Sequence, residues 1–184
     1  THGAEVWRSA TGDSGTWTRV VSNGFNGDAG NMLVSSFATH TSGGSDLYLY
    51  AGTFNPVSGG EIWRTSNGTS WTQVNADGFG NAKNAGVSAL TSFKGYLYAG
   101  TAGTSGHGFQ VWRCQSCSQA STWHKVVDNG FGNANYSLLT ALEGDNTYLY
   151  LVAGNRSEGM AVWRTTDALT WVQVAFGGFG NPGN

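Results

Sequence analysis

Four arginines recur at one position of the sequence, each directly after a tryptophan: they are Arg8, Arg64, Arg113 and Arg164. A guanidinium group binds a carboxylate through two parallel hydrogen bonds, so arginines that converge from several repeats could hold an acidic ligand. These four are expected in the outer half of each repeating unit, where they cannot converge. The sequence therefore predicts a repeated structural role for them and leaves only Arg19 and Arg156 outside the set.

Carboxylates that could act as an acid–base pair are scarce. Glycoside hydrolysis needs two carboxyl groups about 5–9.5 Å apart across a cleft. Glu5 and Glu61 are repeat equivalents, and Gln110 and Ala161 replace them in the other copies. They are therefore not expected to act on one sugar, and we predict no catalytic residue in the chain.

Cys114 and Cys117 form a lone Cys-x-x-Cys pair. Redox motifs of this type normally open a helix in a thioredoxin-like unit, which this sequence lacks. A structural zinc needs four ligands, and only His107 and His124 are close in sequence. The pair is predicted to form a small disulfide, which indicates an oxidising compartment.

Loops rich in Asn, Asp and Gly occur at 23–31, 77–84, 128–135 and 177–184. Oxygen-rich loops can bind Ca²⁺, but Asn, Asp and Gly are also the residues that left-handed turns select. Asp28 is the one carboxylate in these loops that suggests a cation site. We expect no cofactor, with Ca²⁺ kept as the alternative, and no bound metal.

The elements that would position these residues repeat about every 50 residues, a period typical of β-propellers. Tryptophan occurs only at repeated positions: Trp7, Trp63, Trp112 and Trp163 precede the arginines, and Trp17, Trp71, Trp123 and Trp171 follow them. A Gly-Phe pair also recurs, beginning at positions 24, 78, 130 and 178. Large rings at equivalent sites are what packing between blades requires.

Each repeat reads as four strands, predicted in one copy at 87–93, 96–101, 109–114 and 122–127. The sequence therefore predicts an all-β fold, a β-propeller of four-stranded antiparallel blades. One propeller segment would cover 1–184, with a half-blade at 4–22 and blades at about 33–74, 85–127 and 136–174. About three and a half blades are fewer than a closed propeller has. We expect either part of a longer propeller or closure by another copy.

The turn between the third and fourth strands resembles the Asp-box (BNR) repeat of sialidase-like β-propellers, whose pattern is Ser/Thr-x-Asp-x-Gly-x-Thr-Trp. The nearest matches are Thr65, Asn67, Gly68 and Trp71, then Thr165, Asp167 and Trp171, and more loosely Asp13, Gly15, Thr16 and Trp17. The repeats are degenerate, since Ala168 replaces a glycine and a cysteine-containing insertion replaces the third turn. The resemblance implies a sialidase-like propeller. It says little about chemistry, because Asp-boxes lie away from sialidase active sites.

Composition limits the partners. Lys and Arg number nine, the formal net charge is −2, and there is no basic cluster, so a nucleic-acid partner is not expected. The sequence has no apolar run of about 18 residues, so no membrane span is predicted. Low charge, a disulfide and few lysines favour an extracellular or cell-surface protein. The sequons at Asn67, Asn135 and Asn155 would permit glycosylation there.

Together these features predict a non-enzymatic extracellular β-propeller module for binding or assembly. Its partners would be other protein chains or further blades of the same chain, and possible glycans. Two alternatives stay open. One is a lectin with sugar sites repeated between blades. The other is part of a sialidase-like glycoside hydrolase whose catalytic site lies outside this segment.

Overall fold

A computed structural model describes residues 2–184, which form an all-β chain with short 3-10 turns and no α-helix. The strands are β1 (Val6–Arg8), β2 (Thr18–Val21), β3 (Leu33–Ser42), β4 (Asp46–Phe54), β5 (Ile62–Thr65), β6 (Thr72–Gln73), β7 (Asn84–Phe93), β8 (Tyr96–Gly103), β9 (Val111–Cys114), β10 (His124–Val127), β11 (Tyr136–Gly144), β12 (Leu149–Asn155), β13 (Gly159–Thr165) and β14 (Val172–Ala175). The 3-10 turns are Phe25–Gly27, Asp77–Gly80, Ala120–Thr122, Asn129–Gly132 and Gly177–Gly180. Among residues 2–184, no helix is long and apolar enough to cross a membrane.

Consecutive strands pair antiparallel into an N-terminal hairpin (β1–β2) and three four-stranded units: repeat 1 (β3–β6), repeat 2 (β7–β10) and repeat 3 (β11–β14). Repeat 1 meets repeat 2 where Phe54 pairs with Gly86, and repeat 2 meets repeat 3 where Ala102 pairs with Leu138. Residues 2–184 form open sheets and do not close into a ring. The all-β prediction is confirmed, whereas the number of blades stays a prediction.

The first two strands of every repeat share one irregularity of register. The pairing shifts between Val34 and Ser36, between Val87 and Ala89, and between Leu139 and Ala141. A bulge of this kind increases the local twist of the sheet. Its recurrence gives the three repeats the same curvature at the strand that faces the neighbouring repeat.

Aromatic contacts fill the space between successive units. The first three Gly-Phe loops place their phenyl rings against the first tryptophan of the next unit, with centroids 5.1 Å apart for Phe25 and Trp63 and 4.6 Å apart for Phe79 and Trp112. Phe131 repeats the contact at 5.0 Å from the Trp163 ring. Such pairs contribute about 0.5–1.5 kcal/mol each beyond the area they bury. The repeated tryptophans therefore hold one unit against the next.

Units at the two ends of the chain are less covered. Trp7 and Trp17 in the N-terminal hairpin are 48% and 51% exposed. Repeat 3 also departs from expectation: the apolar segment at 137–142 suggests a strand buried on both faces, but Leu138 is 50% exposed. The prediction is wrong there because, within residues 2–184, no further unit packs against that face. β7 is largely buried because it lies between β3 and β11.

The turns between the third and fourth strands are held by short polar side chains. In repeat 1, Thr65 Oγ1 accepts the Gly68 N–H (2.8 Å), and Asn67 Oδ1 accepts the Ser70 N–H (2.9 Å). In repeat 3, Thr165 and Asp167 accept the equivalent bonds. Repeat 2 carries the predicted disulfide at this turn instead, between the buried Cys114 and Cys117.

Two tryptophans offer a matched test of the packing between units. Trp123 Nε1 donates across the boundary to the Val74 carbonyl (2.9 Å), whereas the equivalent Trp71 N–H is buried with no partner within residues 2–184. Trp123→Phe should lower the free energy of unfolding by about 1 kcal/mol more than Trp71→Phe, since only the former loses a hydrogen bond. Urea denaturation measures both. Equal losses in the free energy of unfolding would contradict a stabilising hydrogen bond from Trp123 that Trp71 lacks.

Asp167 and Asn67 offer a test of the turns. Hydrogen bonds from the Thr170 and Leu169 backbone N–H groups hold the pKa of Asp167 below its usual range. Stability from a lowered carboxyl pKa is fully present above the ordinary value of about 3.9 and disappears as the pH falls through the folded-state pKa. The loss of melting temperature caused by Asp167→Ala should therefore shrink between pH 7 and acid. Asn67 does not titrate, so the loss caused by Asn67→Ala should stay constant. A constant loss for Asp167→Ala would refute this account.

Candidate functional site

The repeated arginines do not converge. The guanidinium carbons of Arg64 and Arg113 lie 4.4 Å and 4.7 Å from the centroids of the Tyr48 and Tyr96 rings. Each guanidinium also donates to a carbonyl of the next turn, from Arg64 to Cys117 O (3.2 Å) and from Arg113 to Asp167 O (3.4 Å). Arg8 makes the same type of bond to Asn67 O, and Arg164 lies over Tyr148. Arg8, Arg64 and Arg113 are therefore engaged in contacts that join the units, whereas the Arg164 contact lies within repeat 3.

The equivalent carboxylates Glu5 and Glu61 are also engaged. Buried Glu61 accepts hydrogen bonds from Trp63 Nε1 (2.7 Å) and Asn31 Nδ2 (2.8 Å). Burial raises the pKa of Glu61, although both hydrogen bonds act in the opposite direction. Glu5 accepts from Trp7 Nε1 and forms an exposed ion pair with Arg19. Each carboxylate thus supports the tryptophan of its own unit.

Asp28, the candidate for calcium binding, and the asparagines of the three sequons lie in different surroundings. Asp28 accepts hydrogen bonds from Gly30 N and Asn55 Nδ2. Within residues 2–184, no three His, Cys, Asp or Glu side chains converge as metal ligands would. Asn67 and Asn135 are exposed, whereas Asn155 is only 3% exposed.

Two cavities lie at one edge of the sheet, on either side of the turn that joins β12 to β13. The polar cavity, of about 350 Å³, lies where the ends of β8 and β12 meet the start of β11 and is lined by Ser105, Asn135, Ser137, Asn155, Arg156 and Ser157, together with small residues. The aromatic cavity, of about 590 Å³, is lined by Phe131, Tyr136, Glu158, Trp163, Gln173 and Phe176, among others. Ser157 lines both cavities.

Asn155 gives the polar cavity an unsatisfied hydrogen-bond donor. Its Oδ1 accepts the backbone N–H groups of Ser157 and Glu158, which shapes the turn. Its Nδ2 is buried and has no partner within residues 2–184. In repeat 1 the equivalent Asn55 Nδ2 donates to Asp28. Burial raises the pKa of the Tyr136 phenol, and the Asn155 side chain, which lies against that hydroxyl, acts in the opposite direction.

Arg156 adds a charged donor beside Asn155. It is exposed, and it forms no salt bridge within the part of the chain that the structure describes. None of the residues lining the polar cavity carries a carboxylate. The cavity therefore offers hydroxyl, amide and guanidinium groups to an oxygen-rich ligand.

Sequence reasoning placed Arg156 outside the repeated set but did not identify the site around it. Two signals mark the site in the sequence. Tyr136 stands where the earlier loops have Asn31 and Asn84, and Ala161 stands where earlier units have Glu61 or Gln110. Both departures fall in repeat 3, which borders the two cavities.

No family model and no curated protein matches the sequence. Among solved structures, the chain is similar to the α-L-arabinofuranosidase Arb93A from Fusarium graminearum, with a TM-score of 0.53 and 14% identity over 96% of this chain and 53% of that one. It is similar to a structure described under two prolyl endopeptidases, with a TM-score of 0.57 and 15% identity over 95% and 24%. A Trypanosoma rangeli sialidase has a TM-score of 0.48 and 15% identity over 95% and 32%. The chain thus spans about half or less of each of these proteins.

These similarities concern the fold, and those with a TM-score above 0.5 support a β-propeller at that level. They do not test the Asp-box assignments. They contradict the main functional prediction. The arabinofuranosidase, a glycoside hydrolase, has a similar fold and favours the alternative of a hydrolase segment over a non-enzymatic binding or assembly module.

Glu61→Gln should change how stability depends on pH. A carboxyl whose pKa is raised by folding stabilises the protein below its ordinary pKa, and this contribution is lost as the pH rises through the folded-state value. Glutamine does not titrate and can accept the same two hydrogen bonds, as Gln110 does in repeat 2. The free energy of unfolding, measured in urea from pH 4 to 8, should fall less with rising pH in the variant. A steeper fall would disprove the raised pKa.

Proposed function

We propose that this chain is a segment of a glycoside-hydrolase propeller and supplies saccharide-binding surface at the polar cavity. The observation that carries the proposal is the set of polar side chains that line one cavity, Asn155 and Arg156 together with three serines, at a place that the repeated contacts do not use. A sugar presents hydroxyl oxygens at the spacing of neighbouring hydrogen-bond donors. A small number of convergent polar groups is typical of such sites.

The repeats support the propeller assignment. Each four-stranded unit would be one blade, and the N-terminal hairpin would be the outer half of another. The Thr–Asn and Thr–Asp turns would be degenerate Asp-boxes, because Asn67 and Asp167 cap the backbone at equivalent positions. The polar cavity lies at the edge where β12 ends, opposite the edge that carries these turns.

The catalytic carboxylates are proposed to come from other blades. Glu5, Glu61, Asp28 and Asp128 each accept hydrogen bonds that hold this segment together. A hydrolase needs two carboxyl groups free to face one glycosidic bond. This segment would instead orient the saccharide.

The setting of the protein follows the same chemistry. A disulfide is typical of oxidising compartments, so we propose that the protein is extracellular or lies at a cell surface. Its ligands there would be polymeric glycans. Trp7 and Trp17 are exposed at the hairpin, where the Phe25–Trp63 contact shows what can cover such rings. Further blades, from the same or another polypeptide, are the proposed partners of that surface.

Arabinobiose, xylobiose and cellobiose titrated into the 184-residue chain test the proposal by calorimetry. At least one should bind, and Arg156→Gln should weaken that binding by about ten-fold or more, since a charged hydrogen bond contributes about 1.5–3 kcal/mol. Arg19→Gln is the matched control. Arg19 also lies outside the repeated set, but it belongs to the N-terminal hairpin, where it pairs with Glu5, and it does not line the polar cavity. Absence of binding, or equal effects of both variants, would overturn the proposal.

A further inference from the structure

One polar side chain joins the preceding loop to the first tryptophan in repeats 1 and 2. In repeat 2, Gln110 Oε1 accepts hydrogen bonds from Asn84 Nδ2 (2.8 Å) and Trp112 Nε1 (3.0 Å). Glu61 does the same in repeat 1. The network satisfies the indole N–H and occupies the space between loop and strand.

Repeat 3 replaces both residues that build this network. Tyr136 takes the place of Asn84: its carbonyl accepts the Phe109 N–H as the Asn84 carbonyl accepts the Gly60 N–H. Ala161 takes the place of Gln110, and its methyl group cannot accept a hydrogen bond from Trp163. The indole N–H that is satisfied in repeats 1 and 2 therefore loses that acceptor in repeat 3.

The replaced network borders the aromatic cavity. The Tyr136 ring packs edge-on against Trp163, with centroids 5.1 Å apart and planes at 86°, and its hydroxyl donates to Glu158 Oε2 (3.4 Å). Phe176, which is 73% exposed, forms part of the wall. The volume of about 590 Å³ falls within the range of about 300–1,000 Å³ that is usual for small-molecule sites.

The chemistry of this cavity fits a neutral sugar ring. A sugar has an apolar C–H face, which Phe176 can cover, and a rim of hydroxyls, which Glu158 and Gln173 can bind. Burial raises the pKa of the Tyr136 phenol, and the neighbouring carboxylate raises it further, so the hydroxyl remains a donor at neutral pH. The Glu158 carboxylate would repel an acidic sugar at the same place.

We propose that the aromatic cavity binds the further sugar units of a linear, neutral oligosaccharide whose first two units occupy the polar cavity. The two cavities flank one turn and share Ser157, so a single chain of sugars can cross from one to the other. This inference rests on the proposed function and adds to it the substrate class, a polymer rather than a single terminal sugar.

Matched disaccharides and tetrasaccharides of arabinan, xylan and cellulose test the inference in the 184-residue chain. For the polysaccharide whose disaccharide binds, the tetrasaccharide should bind about ten-fold more tightly than the disaccharide. This is the gain expected from one further aromatic contact and its hydrogen bonds. Phe176→Ala should remove the gain and leave disaccharide binding unchanged. Phe179→Ala is the control, because Phe179 is exposed on the same loop and does not line the cavity.

A double variant, Tyr136→Asn with Ala161→Gln, rebuilds the repeat 2 network in repeat 3. It removes the Tyr136 ring from the cavity wall, as Phe176→Ala removes the phenyl ring, and should therefore reduce the length gain. If the double variant does not fold, Phe176→Ala alone tests the inference, because removing this exposed side chain does not disturb the hydrophobic core. A length gain that survives Phe176→Ala overturns the inference.

The indole N–H signal of Trp163 gives a readout separate from affinity. Assigned by comparison with Trp163→Phe, it should shift with the tetrasaccharide and not with the disaccharide. Disaccharide binding that depends on Arg156, without any length gain or indole shift, would leave the proposed function intact and refute sugar binding in the aromatic cavity. No binding at either length would refute both.

Discussion

The stacking of a loop phenylalanine on the first tryptophan of the next unit is the contact on which the structure depends. An isolated four-stranded sheet leaves apolar faces exposed, and the rings at 4.6–5.1 Å cover them at each boundary. At two of the three boundaries the phenylalanine also has an unusual backbone, since Phe79 and Phe131 have φ of +56° and +60°. A left-handed conformation costs about 1–2 kcal/mol for such residues, so packing between units must more than offset it.

A contact that is repeated at every boundary leaves the rest of each unit free to vary. The Phe–Trp stack is kept in repeat 3, although Tyr136 and Ala161 have replaced the hydrogen-bonded pair beside it. A cavity can therefore open next to the tryptophan without separating the units. The same reasoning applies to Asn155, whose counterpart Asn55 is paired with Asp28 while Asn155 Nδ2 has no partner within residues 2–184.

Much of the fold could be predicted from the sequence, because the recurring spacing of the tryptophans and the Gly-Phe pairs reflects strand order and packing between units. The recurring motifs predicted an all-β chain, and the Cys114–Cys117 spacing predicted the disulfide. Exposure at the ends was harder to predict: Leu138 has the same apolar character as buried strand residues, and only its lack of a covering neighbour within residues 2–184 exposes it. The cavities were missed because they join segments distant in sequence, such as Ser105 and Arg156.

Irregularity is the more informative signal of function in a repeating chain. A residue that recurs in every unit, such as Arg64 or Arg113, is explained by a contact that every unit needs. A residue that differs from its repeat equivalents does not make that shared contact, so the reason for its presence must be sought in its own unit. Tyr136, Ala161 and Arg156 all depart in repeat 3, and all lie at or beside the same turn of the fold. The disulfide turn is a departure of repeat 2 and holds that turn alone, whereas the three departures of repeat 3 lie around one pair of cavities, as a binding surface requires.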